Sequence, residues 1–123
     1  MPHKNTWETE GLYREFTGEI NGDEILEANF ELHSSPEFND IKYIINDFLG
    51  VTGYSIETAH TKAYAVTDEM ISFSKGKLKI ALVVNQEPLI ALANGYRDQM
   101  LGKLFECEIF PAIEDARKWV LSE

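Results

Sequence analysis

Leu78-Lys79-Ile80-Ala81-Leu82-Val83-Val84 is the stretch that decides the fold. Five of its residues, Ile80 to Val84, are apolar without a break. That is the pattern of a strand buried on both faces, as in a parallel sheet. Asn85 then offers a helix cap and Pro88 sits in the first turn of a helix. Leu89, Ala93, Tyr96 and Met100 form the inner stripe of that helix, and Gly102 ends it. A strand followed at once by a helix is half of a crossover unit, and the same unit recurs on both sides of this stretch.

On the N-terminal side, Leu12 to Ile20 reads as a first strand, with Leu12, Phe16 and Ile20 on one side and Tyr13, Glu15, Thr17 and Glu19 on the other. Asn21-Gly22 turns the chain into a helix over about Asp23 to His33, with Ile25, Ala28, Asn29 and Leu32 as its stripe. Ser35-Pro36 caps a single turn around Glu37 and Phe38. Ile41 to Phe48 is a second strand, and its run Tyr43-Ile44-Ile45 suggests a central position. Leu49 to Glu57, with Gly50 and Gly53, reads as a loop. A long helix follows over about Thr58 to Lys75. Ala59, Ala63, Val66, Met70 and Phe73 recur at helical steps and predict its core-facing stripe. Gly76 stops it.

On the C-terminal side, Phe105 to Phe110 is a strand with Phe105, Cys107 and Ile109 facing one way and Glu106 and Glu108 the other. Pro111 opens a last helix, where Ile113, Ala116 and Val120 face in and Trp119 flanks them. The series βαβαβαβα implies an α/β fold with four mostly parallel strands joined by right-handed crossovers. Each strand has a more polar side: Glu15 and Glu19, Lys42 and Asn46, Lys77 and Lys79, Glu106 and Glu108. The helices are therefore expected mainly on one face, as in a four-turn βα superhelix. The other face is expected to be partly wet, or to be a dimer interface with Ile44, Val83 and Tyr13 as apolar contacts.

The 123 residues suit a single domain, with residues 1–10 as an N-terminal tail. Hydrophobic residues make up 44% and charged residues 26%, enough apolar content for a packed core. Acids outnumber bases 21 to 11, a net charge of −10 that argues against nucleic acid and anionic membrane surfaces. The excess is concentrated in residues 1–50, where eleven acids face Lys4, Arg14 and Lys42. That half is a solvated face or an attraction for a basic partner. No apolar run approaches the ~18 residues of a membrane span. The start lacks the apolar core of a signal peptide, so a cytoplasmic location is the default expectation.

Chemical motifs are few. Phosphate-cradling glycine loops, paired zinc-ligand motifs and nucleophile elbows are all missing from the sequence, so no cofactor or metal is expected. Glu57 and His60 form one E-x-x-H, whereas a di-iron site requires two such pairs and two further carboxylates. Cys107 is the only cysteine and reads as a buried, inert thiol. In an open parallel sheet, ligands bind beyond the carboxyl ends of the strands. That edge supplies the candidate site residues Asp47, Tyr54, Ser55, Thr58 and Asn85. Asp47 reads either as a functional carboxylate or as an acceptor for loop amides. Ser55 and Thr58 read as phosphate acceptors or as caps of the long helix, and Asn85 as a cap.

Three groups of words resemble one family. They are Glu27-Ala28-Asn29, then Phe38 with Ile41-x-Tyr43-x-Ile45-x-Asp47-Phe48, then Ile109-Phe110 with Glu114-x-Ala116-Arg117-x-Trp119. Together they resemble the SpoIIAA-like family of small bacterial proteins, related in fold to STAS domains, over about Gly11 to Val120. The resemblance implies the βα superhelix and a non-enzymatic protein-interaction or regulatory module. STAS switches are phosphorylated on a serine within Asp-Ser-Ser/Thr-Gly at a helix start. This chain has Tyr54-Ser55-Ile56-Glu57-Thr58 there, so Ser55 is the phospho-acceptor candidate, without the aspartate and glycine of the motif. The broad fold is also seen in lipid-transfer domains, which implies as alternative a small carrier of an apolar or lipid-like ligand. Phe48, Tyr54, Tyr64 and Tyr96 would line its pocket. An enzyme using Asp47 as a base is a third reading, with no partner residue in the sequence to support it.

Overall fold

The computed structural model describes residues 3–122. Its elements run β1 (His3–Trp7), β2 (Gly11–Asn21), α1 (Gly22–His33), a short 3-10 turn (Pro36–Asp40), β3 (Tyr43–Ser55), α2 (Thr58–Lys75), β4 (Leu78–Val83), α3 (Glu87–Gln99), β5 (Phe105–Phe110) and α4 (Ile113–Val120). The five strands form one sheet in the order β1-β2-β3-β4-β5. β2 to β5 are parallel, and β1 pairs antiparallel with β2, His3 opposite Phe16 and Trp7 opposite Leu12. Two expectations are corrected here. The sheet has five strands, and the segment read as a tail is its edge strand. Only five residues, four of them polar, make up β1, so its period-two signal is too short to read.

The segment 49–55 is not a loop but the second half of β3. β2 and β3 stay paired to Asn21–Ser55, with register shifts between Glu15 and Thr17 and between Gly18 and Glu19. At each shift β3 contributes an extra residue, which bends it. Gly50 lies in the first bend, where a Cβ would come within 2.9 Å of the Thr17 methyl. A glycine read as a loop signal is here a mark of close backbone approach.

The helices lie three to one. α1, α2 and α3 cover one face, where Leu12, Phe16, Ile44, Ile80, Leu82 and Phe105 meet Ile25, Leu32, Leu89 and Tyr96. α4 covers the other face, where Ala116 and Val120 pack on Tyr43, Ile45, Ala81 and Val83. Helices mainly on one face therefore holds, but the second face is less wet than the polar residues suggested. Val83 is fully buried beneath α4, and Ile44 belongs to the main core. Tyr13 is engaged with Asp47. None of these three is left over for a dimer interface. Lys79 also turns inward: its Nζ donates to the carbonyls of Trp119 (3.0 Å) and Ser122 (2.7 Å) at the end of α4. A cation there meets the unpaired carbonyls and the negative end of the helix dipole.

A further correction concerns α2. Val66, Met70 and Phe73 are 57%, 68% and 75% exposed. The residues that face the core are Thr61, Tyr64, Ala65, Asp68 and Ser72. The apolar stripe looks outward and a largely polar one looks inward, the reverse of an ordinary surface helix.

Candidate functional site: a polar-lined interior cavity

The reversal of α2 has a counterpart in β2. Leu12, Arg14 and Phe16 alternate onto the same side of the strand, so the sheet itself carries a guanidinium into the main core. Arg14 is 2% exposed. Its Nη1 donates to Asn29 Oδ1 of α1 at 2.8 Å, and its guanidinium lies 5.2 Å from the centre of the Phe16 ring. Nε and Nη2 have no hydrogen-bond partner among the described residues. Asn46 is the residue directly across from Arg14 in the β2–β3 register, and its Oδ1 is likewise buried and unpartnered. Burial pushes the Arg14 guanidinium down to about 10, opposed by the charges of Asp68 and Glu31. It stays a cation at neutral pH.

Asp68 reaches the same space from α2. Its carboxylate accepts from the Tyr96 hydroxyl of α3 and faces His33 Nε2 of α1 at 3.3 Å. Burial, then the nearby Asp68, pushes the Tyr96 phenol well up, so it remains a donor. These groups surround a cavity of about 90 Å³ whose remaining walls are apolar, among them Phe16, Phe48, Ile80, Leu89 and Phe105. Of the ring set expected to line a pocket, Phe48, Tyr64 and Tyr96 do so. Tyr54 instead packs at the end of β3, beside Ser55, Glu19 and Glu24 in a shallow acidic depression.

The candidates from the strand ends do not gather at this cavity. Asp47 is buried on the α4 side of the sheet, where Oδ1 accepts from the Leu49 amide at 2.9 Å and Oδ2 from the Tyr13 hydroxyl. Both oxygens are engaged, so the reading as an acceptor for local amides describes it and the reading as a base does not. Ser55 is exposed on β3, opposite Asn21. It does not cap α2: the cap position is Glu57, and Thr58 is the first helical residue. The Glu57 amide donates to His60 Nδ1 at 2.9 Å, and His60 Nε2 meets Asp23 Oδ1 at 3.1 Å. The E-x-x-H pair is thus helix-start architecture, and no group of potential metal ligands occurs among the described residues. Asn85 is exposed and does not cap α3, whose cap position is Gln86. Gln86 instead donates from Nε2 to the Val51 carbonyl at 2.8 Å, steadying the bent part of β3. Cys107 is buried, and burial, then Glu108, pushes its thiol up.

Sequence reasoning missed Arg14, Asn29, Asn46, His33 and Asp68 as a set. The signal was there in Arg14, a charge in phase with the apolar side of its strand. Asp68 lies in phase with Thr61, Tyr64 and Ser72 on α2.

Neither a family model nor a curated protein matches the sequence. Among the solved structures that share the fold are two that match nearly end to end. One is an uncharacterized protein of the DUF3478 family from Shewanella loihica PV-4, described as having a SpoIIAA-like fold. It matches at a TM-score of 0.57 and 18% identity, over 96% of this chain and 93% of that one. The other is the anti-sigma factor antagonist SpoIIAA in its unphosphorylated form, at a TM-score of 0.62 and 10% identity, over 99% and 100%. The chain has the SpoIIAA-like α/β fold that its sequence words implied. At these identities the likeness defines the fold. Among the described residues no helix is long and apolar enough to cross a membrane.

Proposed function

We propose that this protein is a non-enzymatic, SpoIIAA-like interaction module whose contact surface is the outer face of α2. The observation that carries the reading is the exposed stripe Val66, Met70 and Phe73, an apolar face that the fold leaves uncovered. The partner that fits is a protein with an apolar helical or sheet face and a basic rim. The rim follows from the net charge of −10, most of which lies in residues 1–50, including Glu27 and Glu31 of α1. The fold is shared with SpoIIAA, an anti-sigma factor antagonist, which supports a regulatory or protein-interaction role.

Within this reading Ser55 is the position where a phosphate would act. Its hydroxyl is exposed, and a phosphate would add about −1.5 to −2 charges beside Glu19 and Glu24. The resulting repulsion would loosen the end of β3 rather than order it.

Immobilised wild-type protein and a Val66→Ser/Met70→Ser/Phe73→Ser variant, each exposed to a lysate of the source cells, test the surface. The expected result is a partner retained by the wild type and lost from the variant, at unchanged far-UV circular dichroism. Equal retention by both would remove α2 as the contact face. Sedimentation velocity on the same pair separates self-association from binding a different protein. Ser55→Asp is expected to weaken the retained partner and Ser55→Ala to keep it; identical behaviour would remove Ser55 from the switch.

A further inference from the structure

The cavity holds an incomplete hydrogen-bond set. A buried cation normally has every donor engaged, because each unpaired donor loses its water and gains nothing. Arg14 has its Nη1 end engaged with Asn29 and its Nε and Nη2 left over. These two atoms form one edge of the planar guanidinium, with two parallel N–H bonds. That edge matches the two oxygens of a carboxylate. Asn46, side by side with Arg14 across the β2–β3 ladder, supplies the complementary deficit: a buried carbonyl oxygen with no donor. Two spare donors and one spare acceptor describe an acid whose neighbouring carbon carries a hydroxyl. The other walls are apolar.

The remaining charges leave Arg14 available. Asp68, the acid that lines the cavity, is engaged by Tyr96 and His33. It balances the guanidinium at a distance, in the same space, without occupying its free edge. Asn29 fixes the guanidinium's other end, so the free edge is held in place before any ligand arrives.

We propose that the Arg14 cavity is a binding site for a small apolar carboxylic acid, preferably an α-hydroxy acid, with its carboxylate on Nε and Nη2 and its hydroxyl donating to Asn46. The size limits the apolar body. An apolar cavity of ~150 Å³ admits the six carbons of benzene, so the smaller space of about 90 Å³ here suits an acid of about two or three carbons. The site is separate from the outer face of α2 and does not depend on the interaction reading.

Titration calorimetry with three probes of one shape tests the proposal: propionate, lactate and 1-propanol. Propionate is expected to bind at least about tenfold more tightly than the alcohol. Lactate should gain a further ~3- to 10-fold. Arg14→Met should remove the preference for acid over alcohol, and Asn46→Leu only the preference for the hydroxyl. Equal affinity for acid and alcohol would overturn the proposal, as would acid binding undiminished in Arg14→Met. Failure of all three probes to bind at millimolar concentration would mean that the guanidinium holds only water, and would overturn it too. Should Arg14→Met not fold, the Arg14 Nε–H resonance of the wild type decides. It shifts with propionate and stays put with 1-propanol if the proposal is right; no shift with the acid refutes it.

Discussion

Arg117 of α4 and Glu8, 109 residues apart in the chain, meet in a two-pronged ion pair with Nη1–Oε1 at 3.0 Å and Nη2–Oε2 at 2.7 Å. The Tyr43 hydroxyl also donates to Glu8, and the Arg117 guanidinium sits 5.6 Å from the centre of the Tyr13 ring. One carboxylate thus ties the β1–β2 turn, β3 and the last helix together on the face that α4 covers.

Glu8→Gln is expected to lower stability by about 1 kcal/mol, the scale of a well-formed, partly buried pair. The pH dependence follows from the direction of its shift. Arg117 holds the Glu8 carboxyl below its ordinary value of 4.5. A carboxyl lowered in the folded state contributes stability above its unfolded value and loses it as pH falls through the folded one. Urea midpoints of the wild type should fall on acidification below about pH 4.5 more steeply than those of the variant. Parallel curves would show that the pair contributes nothing.

Arg14→Met should raise the thermal midpoint. The arginine is buried with two donors unpaired, and a methionine fills similar volume without that cost. A gain of about 1 kcal/mol, or some 3–5 °C, is expected. A drop of similar size would mean that attraction to Asp68 outweighs the desolvation of the guanidinium.

Gly22→Ala should cost about 1–3 kcal/mol. A Cβ at this position would lie 2.4 Å from Cγ of the His60 ring. The ring cannot withdraw without releasing both the Glu57 amide and Asp23. Denaturant titration gives the loss; a neutral result would mean that the starts of α1 and α2 can slide apart freely.

Cys107 should resist alkylation by iodoacetamide at pH 8 in the folded protein and react at once when urea is added. Its thiol is buried against the α3 side of the sheet, and burial pushes it up, so little thiolate forms. Modification in the folded protein at the unfolded rate would show that β5 opens readily.

Phe73→Ser should leave the denaturant midpoint within about 0.5 kcal/mol of the wild type, because the ring is 75% exposed and leaves no cavity behind. A larger loss would place Phe73 in a contact that the fold does not show.

The sequence made the element order legible because strands and helices here end on strong signals. α2 begins and ends at the expected Thr58 and Lys75, and β5 spans the expected Phe105 to Phe110. At α2 apolar spacing misleads, because the fold inverts the rule that apolar residues face the core: Phe73 is out and Asp68 is in. The inversion is consistent only once Arg14 is seen to need an acid above it. That requirement is an attraction between residues 54 positions apart, which no local period reveals. Asp47, Ser55 and Asn85 stand at the strand ends, whereas the cavity lies on the face of the sheet, lined by Asn46. Local conflict with pattern, such as an arginine in step with Leu12 and Phe16, was the better guide to a site.

The spatial order of the five strands is also their order along the chain. No strand has to be inserted between two that are already paired. As the polypeptide leaves the ribosome, each new strand can therefore settle on the free edge left by its predecessor, through a short crossover, with little loop entropy to overcome. α4 emerges after all five strands, and only then does Arg117 reach back to Glu8. The ion pair is thus a latch, closed across a sheet whose strands have already been laid down in sequence.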